Sequence, residues 1–176
     1  MLAVRHHHVS RKIGADHVLA GKKIYIPTMA QGSVEAFASV FRWLGIEALP
    51  TPDSNERTRE LGAKFTAGDE CYPAKVTVGD FLRIMEEPGF DAQRTVFFMA
   101  TADGPCRFGQ YAPYLTKILR DAGYPNVQVL APTSRDGYTG MGDVALAVEA
   151  RSGSSRRELT KRFESVVRLI AAMGPS

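Results

Sequence analysis

The run from Thr95 to Ala100, Thr-Val-Phe-Phe-Met-Ala, constrains the fold more than any other stretch of this chain. A continuous apolar run of this length is typical of an inner strand in a parallel sheet that helices cover on both faces. Three other segments, 22–27, 46–50 and 126–132, also predict strands, and each ends at a proline. The sequence therefore predicts a sheet of about four strands.

Helical patterns alternate with these strands. Between the first two strands, apolar residues recur at helical spacing from Gly32 to Leu44, and Gly45 is placed to end that helix. Further helices are predicted at 55–64, 72–87 and 110–122. The alternation favours an α/β fold, a three-layer sandwich with a mostly parallel sheet, like a Rossmann or flavodoxin lobe. Such sheets bind ligands in the loops that follow their strands.

The chain is predicted to have three parts. Residues 1–20 form an N-terminal tail, 21–150 the α/β domain, and 151–176 a C-terminal segment whose charged, amphipathic helix spans 154–173. The tail contains His6, His7 and His8, which fit either a metal site or a solvated tail.

Composition excludes several classes of function. The net charge is +3, and the 22 basic residues are interspersed with 19 acidic ones, which does not favour nucleic-acid binding. There is no apolar run of about 18 residues, so no membrane span is predicted. With two cysteines and no visible signal peptide, we expect a cytoplasmic protein with free or metal-bound thiols.

Both cysteines lie in turn-rich loops that lead into predicted helices, Cys71 before Pro73 and Cys106 after Gly104-Pro105. A helix N-terminus favours a thiolate, which is the form of cysteine that binds iron or zinc. Arg107, beside Cys106, fits either a charge that lowers the thiol pKa further or a group that binds a phosphate. The spacing fits a buried loop cysteine packed beside Phe108 equally well.

The residues around Cys71 also allow more than one interpretation. Asp69 and Glu70 fit caps for the helix that follows them. Lys75, one turn beyond Cys71, fits an ion pair with Glu70, a place beside an anionic ligand, or a solvated side chain.

The absence of several known motifs and the small number of cysteine ligands limit the chemistry expected of this chain. The sequence has no phosphate-binding P-loop, no G-x-G-x-x-G and no G-x-S-x-G. A zinc or iron–sulfur site usually has four protein ligands, or three and an open position, and this chain offers two cysteines. A homodimer that pools four thiolates, a ligand other than cysteine, and an incomplete site all remain open.

The two cysteine segments resemble a known family. Gly-Asp-Glu-Cys-Tyr-Pro-Ala-Lys (68–75) and Gly-Pro-Cys-Arg-Phe-Gly-Gln-Tyr (104–111) are similar to the 2-hydroxyacyl-CoA dehydratase superfamily, in particular to its branch related to the CoA-substrate-specific activase. The resemblance covers about residues 21–140. Members of this superfamily are generally longer, with two such lobes and more cysteines.

The resemblance implies an iron–sulfur protein. Cys71 and Cys106 would bind a [4Fe-4S] or related cluster, with Arg107, Gln110 and Tyr111 as neighbours. The activity would be low-potential electron transfer, or a part in a radical dehydratase acting on a 2-hydroxyacyl-CoA. The expected partners are a second copy or a larger dehydratase- or activase-related subunit, and an acyl-CoA, although no acyl-CoA site is visible in the sequence.

Two other functions stay open. The first is a non-catalytic α/β interaction module, or a fragment, that needs a larger subunit to complete its cluster site. The second is a thiol enzyme with Cys106 as nucleophile, for which the sequence offers no evident general base.

Overall fold

The structure is a computed structural model, and it describes residues 18–102 and 104–133 together with Lys161. Four strands, all parallel, form one sheet in the order β2-β1-β3-β4. Their bounds are β1 Lys23–Ile26, β2 Glu47–Pro50, β3 Thr95–Phe98 and β4 Gln128–Leu130. The α/β prediction is confirmed, and the apolar run supplies β3, an inner strand that is buried along its whole length.

Four helices connect the strands: α1 Gln31–Trp43, α2 Glu56–Phe65, α3 Tyr72–Met85 and α4 Tyr111–Asp121. A short 3₁₀ turn, Arg107–Gln110, precedes α4. The strand order reverses direction at β1, since β2 lies on one side of it and β3 and β4 lie on the other. Right-handed crossovers then require α1 to cover one face of the sheet and the later helices to cover the other.

The hydrophobic core confirms this three-layer arrangement. On one face, α1 packs against alternate strand residues such as Ile24, Val96 and Phe98. On the other face, α3 and α4 pack around Tyr25 and Phe97. Because alternate residues of a strand point to opposite faces, each strand contributes to both halves of the core.

Local signals in the sequence set the ends of the first two helices. After α1, the Gly45 amide binds the Arg42 carbonyl and the Ile46 amide binds the Phe41 carbonyl, so Gly45 ends this helix as predicted. At the start of α2, the Asn55 and Thr58 side chains each accept a hydrogen bond from the other's backbone amide.

Helices α2 and α3 form a tight antiparallel hairpin. Gly62 faces the backbone of Lys75, and Gly79 faces the backbone of Thr58, so closely that a Cβ atom on either glycine would lie within 2.2 Å of a carbonyl oxygen. The connecting loop of this hairpin, residues 66–71, lies at the start of α4. Cys71 therefore reaches the carboxyl edge of the sheet, although no strand directly precedes it.

Several predictions lie outside the described residues: the histidine triplet, most of the N-terminal tail and the helix at 154–173. The predicted domain boundaries remain predictions. Within the described part of the chain, none of the helices combines the length and the apolar character needed to cross a membrane.

Candidate functional site

The Cys106 loop leaves the carboxyl end of β3 and enters α4. Beyond β3, Thr101 still pairs with Thr133 in an isolated parallel bridge. Cys106 directly precedes the 3₁₀ turn, and its side chain is exposed and free. The interpretation of Cys106 as a buried loop cysteine is therefore wrong, because its loop lies on the surface beyond the end of the strand.

Cys71 lies at the start of α3, and its sulfur contacts Tyr111, the first residue of α4. The distance from Cys71 Sγ to the Tyr111 hydroxyl oxygen is 2.9 Å. The Tyr111 ring is buried at the first residue of α4, whereas Cys71 is exposed. This contact joins two segments that lie 40 residues apart in the sequence.

The contact shifts the pKa of both groups in opposite directions. The bond from Tyr111 lowers the pKa of the Cys71 thiol, with help from the backbone amides of Ala74 and Cys71 and from the charge of Arg107. Burial, the bond to Cys71 and the charges of both cysteines raise the pKa of the Tyr111 hydroxyl. The contact with Tyr111 therefore favours the thiolate form of Cys71.

One side of the 3₁₀ turn and α4 holds the Cys71 loop at three points. Arg107 donates to the Asp69 carbonyl oxygen over 2.6 Å, Tyr111 bonds to the Cys71 sulfur, and Tyr114 bonds to the Glu70 carboxylate. Residues 107, 111 and 114 follow the spacing that places side chains on one helix face. Three consecutive loop residues are thus docked on a single surface.

Glu70 anchors this loop. Its carboxylate accepts the Tyr114 hydroxyl and the backbone amide of Gly68, the latter over 3.0 Å. These bonds, the Tyr114 bond foremost, lower the pKa of Glu70 to about 2. Glu70 does not cap α3, because the N-cap residue of this helix is Cys71 and no side chain makes a capping hydrogen bond there. The interpretation of the acidic pair as caps is therefore wrong.

A cavity of about 410 Å³ opens beside Cys71, between its loop on one side and the 3₁₀ turn and α4 on the other, and Cys106 does not line it. Its polar lining includes Arg107, Gln110 and Lys117, and its apolar wall includes Ala74 and Pro113. The sequence singled out Arg107, Gln110 and Tyr111, which all reach this cavity. It did not single out Tyr114 or Lys117, although their helical spacing from Tyr111 was a usable signal.

Lys75 does not join these residues. It forms no ion pair with Glu70, whose carboxylate bonds to Tyr114 instead, and it does not line the cavity. Its backbone carbonyl packs against Gly62 in the helix hairpin. Lys75 therefore contributes backbone packing rather than a charge at the cavity.

The donor set of the site is small. Among the described residues, no three His, Cys, Asp or Glu side chains cluster as they would around a metal ion. The chain matches no family model, no curated protein and no solved structure. The resemblance to the dehydratase superfamily therefore remains an expectation from the two cysteine motifs.

Proposed function

We propose that this chain is an iron–sulfur protein of the 2-hydroxyacyl-CoA dehydratase type, in which Cys71 and Cys106 bind a [4Fe-4S] or related cluster. The activity would be low-potential electron transfer, or a part in a radical dehydratase. The proposal is supported above all by one contact, the hydrogen bond between Cys71 and Tyr111, the first residue of the helix that follows the Cys106 loop.

The chemistry of the two thiols suits such a cluster. Iron–sulfur clusters are held by cysteine thiolates, and their cysteines must be reachable and deprotonated. Both cysteines are exposed and free, and the lowered pKa of Cys71 favours its thiolate. When bound, the cluster would supply one-electron transfer, while Tyr111 and Arg107 would hold the Cys71 loop in place.

The number of thiols makes a partner part of the proposal. Two thiolates occupy two ligand positions, and a cubane cluster usually takes four cysteines. A second copy of the chain would supply the other two, and a larger dehydratase- or activase-related subunit would supply them equally well. An acyl-CoA substrate is supported by the resemblance alone.

A second candidate function follows from the same shortage of ligands. The chain could serve as an interaction module whose cluster is completed by a larger subunit. Tyr72, next to Cys71, is 64% exposed, which places a large aromatic surface beside the thiol. Exposed aromatic side chains of this kind are enriched at protein interfaces.

The test is anaerobic reconstitution of the full chain with iron and sulfide, followed by iron and sulfide counts and visible absorption. Cys71→Ser and Cys106→Ser are compared with wild type. Ser33→Ala, on α1, serves as a control away from both cysteine loops. Circular dichroism of each variant checks that it folds.

About four irons per two chains, lost in both cysteine variants and kept in Ser33→Ala, would support a cluster shared by two copies. Iron that appears only when a cysteine-bearing subunit is added would favour the interaction module. If no preparation binds iron above background, or if both cysteine variants keep it, the proposal is wrong.

A further inference from the structure

The cavity beside Cys71 is lined by charges of both signs. Asp69 and Glu70 contribute the negative charges from the loop before α3, and Arg107 and Lys117 contribute the positive charges from the 3₁₀ turn and α4. The volume, about 410 Å³, lies near the lower end of the range for small-molecule sites. A molecule that fits this cavity should therefore be small and should carry both an anionic and a cationic group.

These charges are available to a ligand. Asp69 makes no ion pair with another described residue. Arg107 donates to the backbone carbonyl of Asp69, and it pairs with no carboxylate of the described residues. Lys117 pairs with Asp121 at an exposed position of α4, and exposed pairs of this kind are weak. The charged groups of a ligand could therefore bind here without displacing a strong ion pair.

Cys71 adds a reactive group to the cavity. Its thiol is exposed and free, and it lines the cavity between the acidic and the basic residues. Cys106 is also exposed and free, but it does not line the cavity. Free thiols exchange with disulfides that can reach them. A disulfide bound in the cavity would therefore lie against Cys71 and not against Cys106.

We propose that this cavity binds a small zwitterionic amino-acid disulfide of the cystine type, and that Cys71 forms a mixed disulfide with it. The ammonium group of the ligand meets Asp69 and Glu70, and its carboxylate meets Arg107 and Lys117. The inference goes beyond the proposed function and does not rest on it, because it concerns the Cys71 thiol itself.

The reaction is a thiol–disulfide exchange. The sulfur of the Cys71 thiolate forms a bond to one sulfur of the ligand while the S–S bond of the ligand breaks. Cys71 is thereby oxidised. The other half of the ligand is reduced, leaves as a thiolate and takes up a proton from water.

The experiment compares three disulfides that differ in their charged groups: cystine, cystamine, which lacks the carboxylates, and dithiodipropionate, which lacks the ammonium groups. Intact-protein mass spectrometry follows their exchange with Cys106→Ser, which keeps Cys71, and with Cys71→Ser, which keeps Cys106. Because the leaving thiols differ too, each rate at Cys71 is divided by the rate at Cys106. We expect this ratio to be highest for cystine by about two- to fivefold, the size expected of one partly exposed ion pair.

Three charge variants in the Cys106→Ser chain test the contacts separately. Asp69→Asn should slow exchange with cystine and cystamine relative to dithiodipropionate. Lys117→Gln should slow exchange with cystine and dithiodipropionate relative to cystamine. Lys75→Gln is the matched control, because Lys75 lies one turn beyond Cys71 on α3 and does not line the cavity. It should leave the relative rates unchanged, and circular dichroism checks that each variant folds.

Equal ratios for the three disulfides would overturn the inference, and so would a preference for cystine that both Asp69→Asn and Lys117→Gln leave unchanged. Peptide mapping of wild type after exchange with cystine should find the modification at Cys71 ahead of Cys106, which tests the inference even if a variant fails to fold. Iron reconstitution is a separate readout. Iron binding without a preference for cystine would leave only the proposed function standing, and the preference without iron binding would leave only this inference.

Discussion

At the scale of single residues, the Thr58 hydroxyl connects three other residues by hydrogen bonds. It is fully buried at the interface of α2 and α3. Its hydroxyl donates to the Asp80 carboxylate over 2.8 Å and accepts from Arg83 over 2.9 Å and from the Asn55 amide over 3.2 Å. This one oxygen is therefore the hydrogen-bond partner of the Asp80 carboxylate, of the Arg83 guanidinium and of the backbone amide at the start of α2.

Thr58→Val should therefore destabilise the protein by about 1–3 kcal/mol, the usual cost of leaving buried polar partners unsatisfied. Thr116→Val is the matched control, because Thr116 is exposed on α4 and its hydroxyl binds only the Ala112 carbonyl. Urea unfolding measures both. Equal free energies of unfolding for the two variants would show that the Thr58 network contributes little.

A second effect at this scale depends on pH. Arg57 makes two hydrogen bonds to the Glu86 carboxylate, of 2.9 and 2.5 Å, and they lower the pKa of Glu86 from its usual 4.5. A lowered carboxyl pKa contributes stability above pH 4.5, and this contribution disappears as the pH falls through the folded-state value. Both side chains are substantially exposed, so the effect should stay below about 1 kcal/mol.

The check is to unfold wild type and Glu86→Gln in urea at pH 7 and at pH 2.5. Wild type should be more stable at pH 7, and the difference should shrink at pH 2.5. Glu87→Gln, at the neighbouring exposed position, should show no such change. A difference that persists unchanged at pH 2.5 would contradict the assignment.

At the scale of elements, the α2–α3 hairpin determines where Cys71 lies. Gly79 approaches the Thr58 carbonyl so closely that a Cβ would stand 2.0 Å from its oxygen. Both atoms at this contact belong to backbone, so neither can move without shifting a helix. The distance between the two helices therefore depends on the absence of a side chain at Gly79. The position of the 66–71 loop depends on that distance.

Gly79→Ala should cost about 2–3 kcal/mol, within the range for overpacked cores. Gly32→Ala makes the same change in the first turn of α1, where no atom lies within 4 Å of the new Cβ. It should be neutral or stabilise by up to about 1 kcal/mol. Thermal or urea unfolding compares them, and a Gly79→Ala protein as stable as wild type would mean that the hairpin adjusts freely.

At the scale of the whole molecule, one sheet joins the two halves of the core. Phe97 is fully buried on the face covered by α3 and α4, where its ring lies 4.4 Å from that of Phe81. Its neighbours Val96 and Phe98 belong to the opposite half, beneath α1. A substitution that destabilises the packing on one face of the sheet should therefore also destabilise the packing on the other face.

Phe97→Ala should lower stability by about 3–5 kcal/mol. The only tryptophan, Trp43, ends α1 on the opposite side of the sheet and serves as a reporter. We expect its fluorescence and the far-ultraviolet circular dichroism to show the same, lowered unfolding midpoint. A wild-type midpoint from Trp43, with a lowered one from circular dichroism, would show that the two faces unfold separately.

Much of the fold could be predicted because its signals are local. The apolar run at Thr95–Ala100, the prolines that end the strands and the glycine at position 45 each act on their own segment. The interpretation of Glu70 as a helix cap failed for the opposite reason. Its partner Tyr114 lies on a different helix, and nothing near Glu70 in the sequence points to it.

The sequence by itself determined the α/β class, the order of strands and helices, and the two cysteine loops as the place to look. These depend on periodicity and turn residues within short windows. Only the tertiary structure decided that Tyr111 meets Cys71 and that Tyr114, not Lys75, meets Glu70. Such pairs depend on where the α2–α3 hairpin places its connecting loop relative to α4. The hairpin itself depends on backbone contacts of Gly62 with Lys75 and of Gly79 with Thr58, which join residues far apart in the sequence, so no local pattern predicts it.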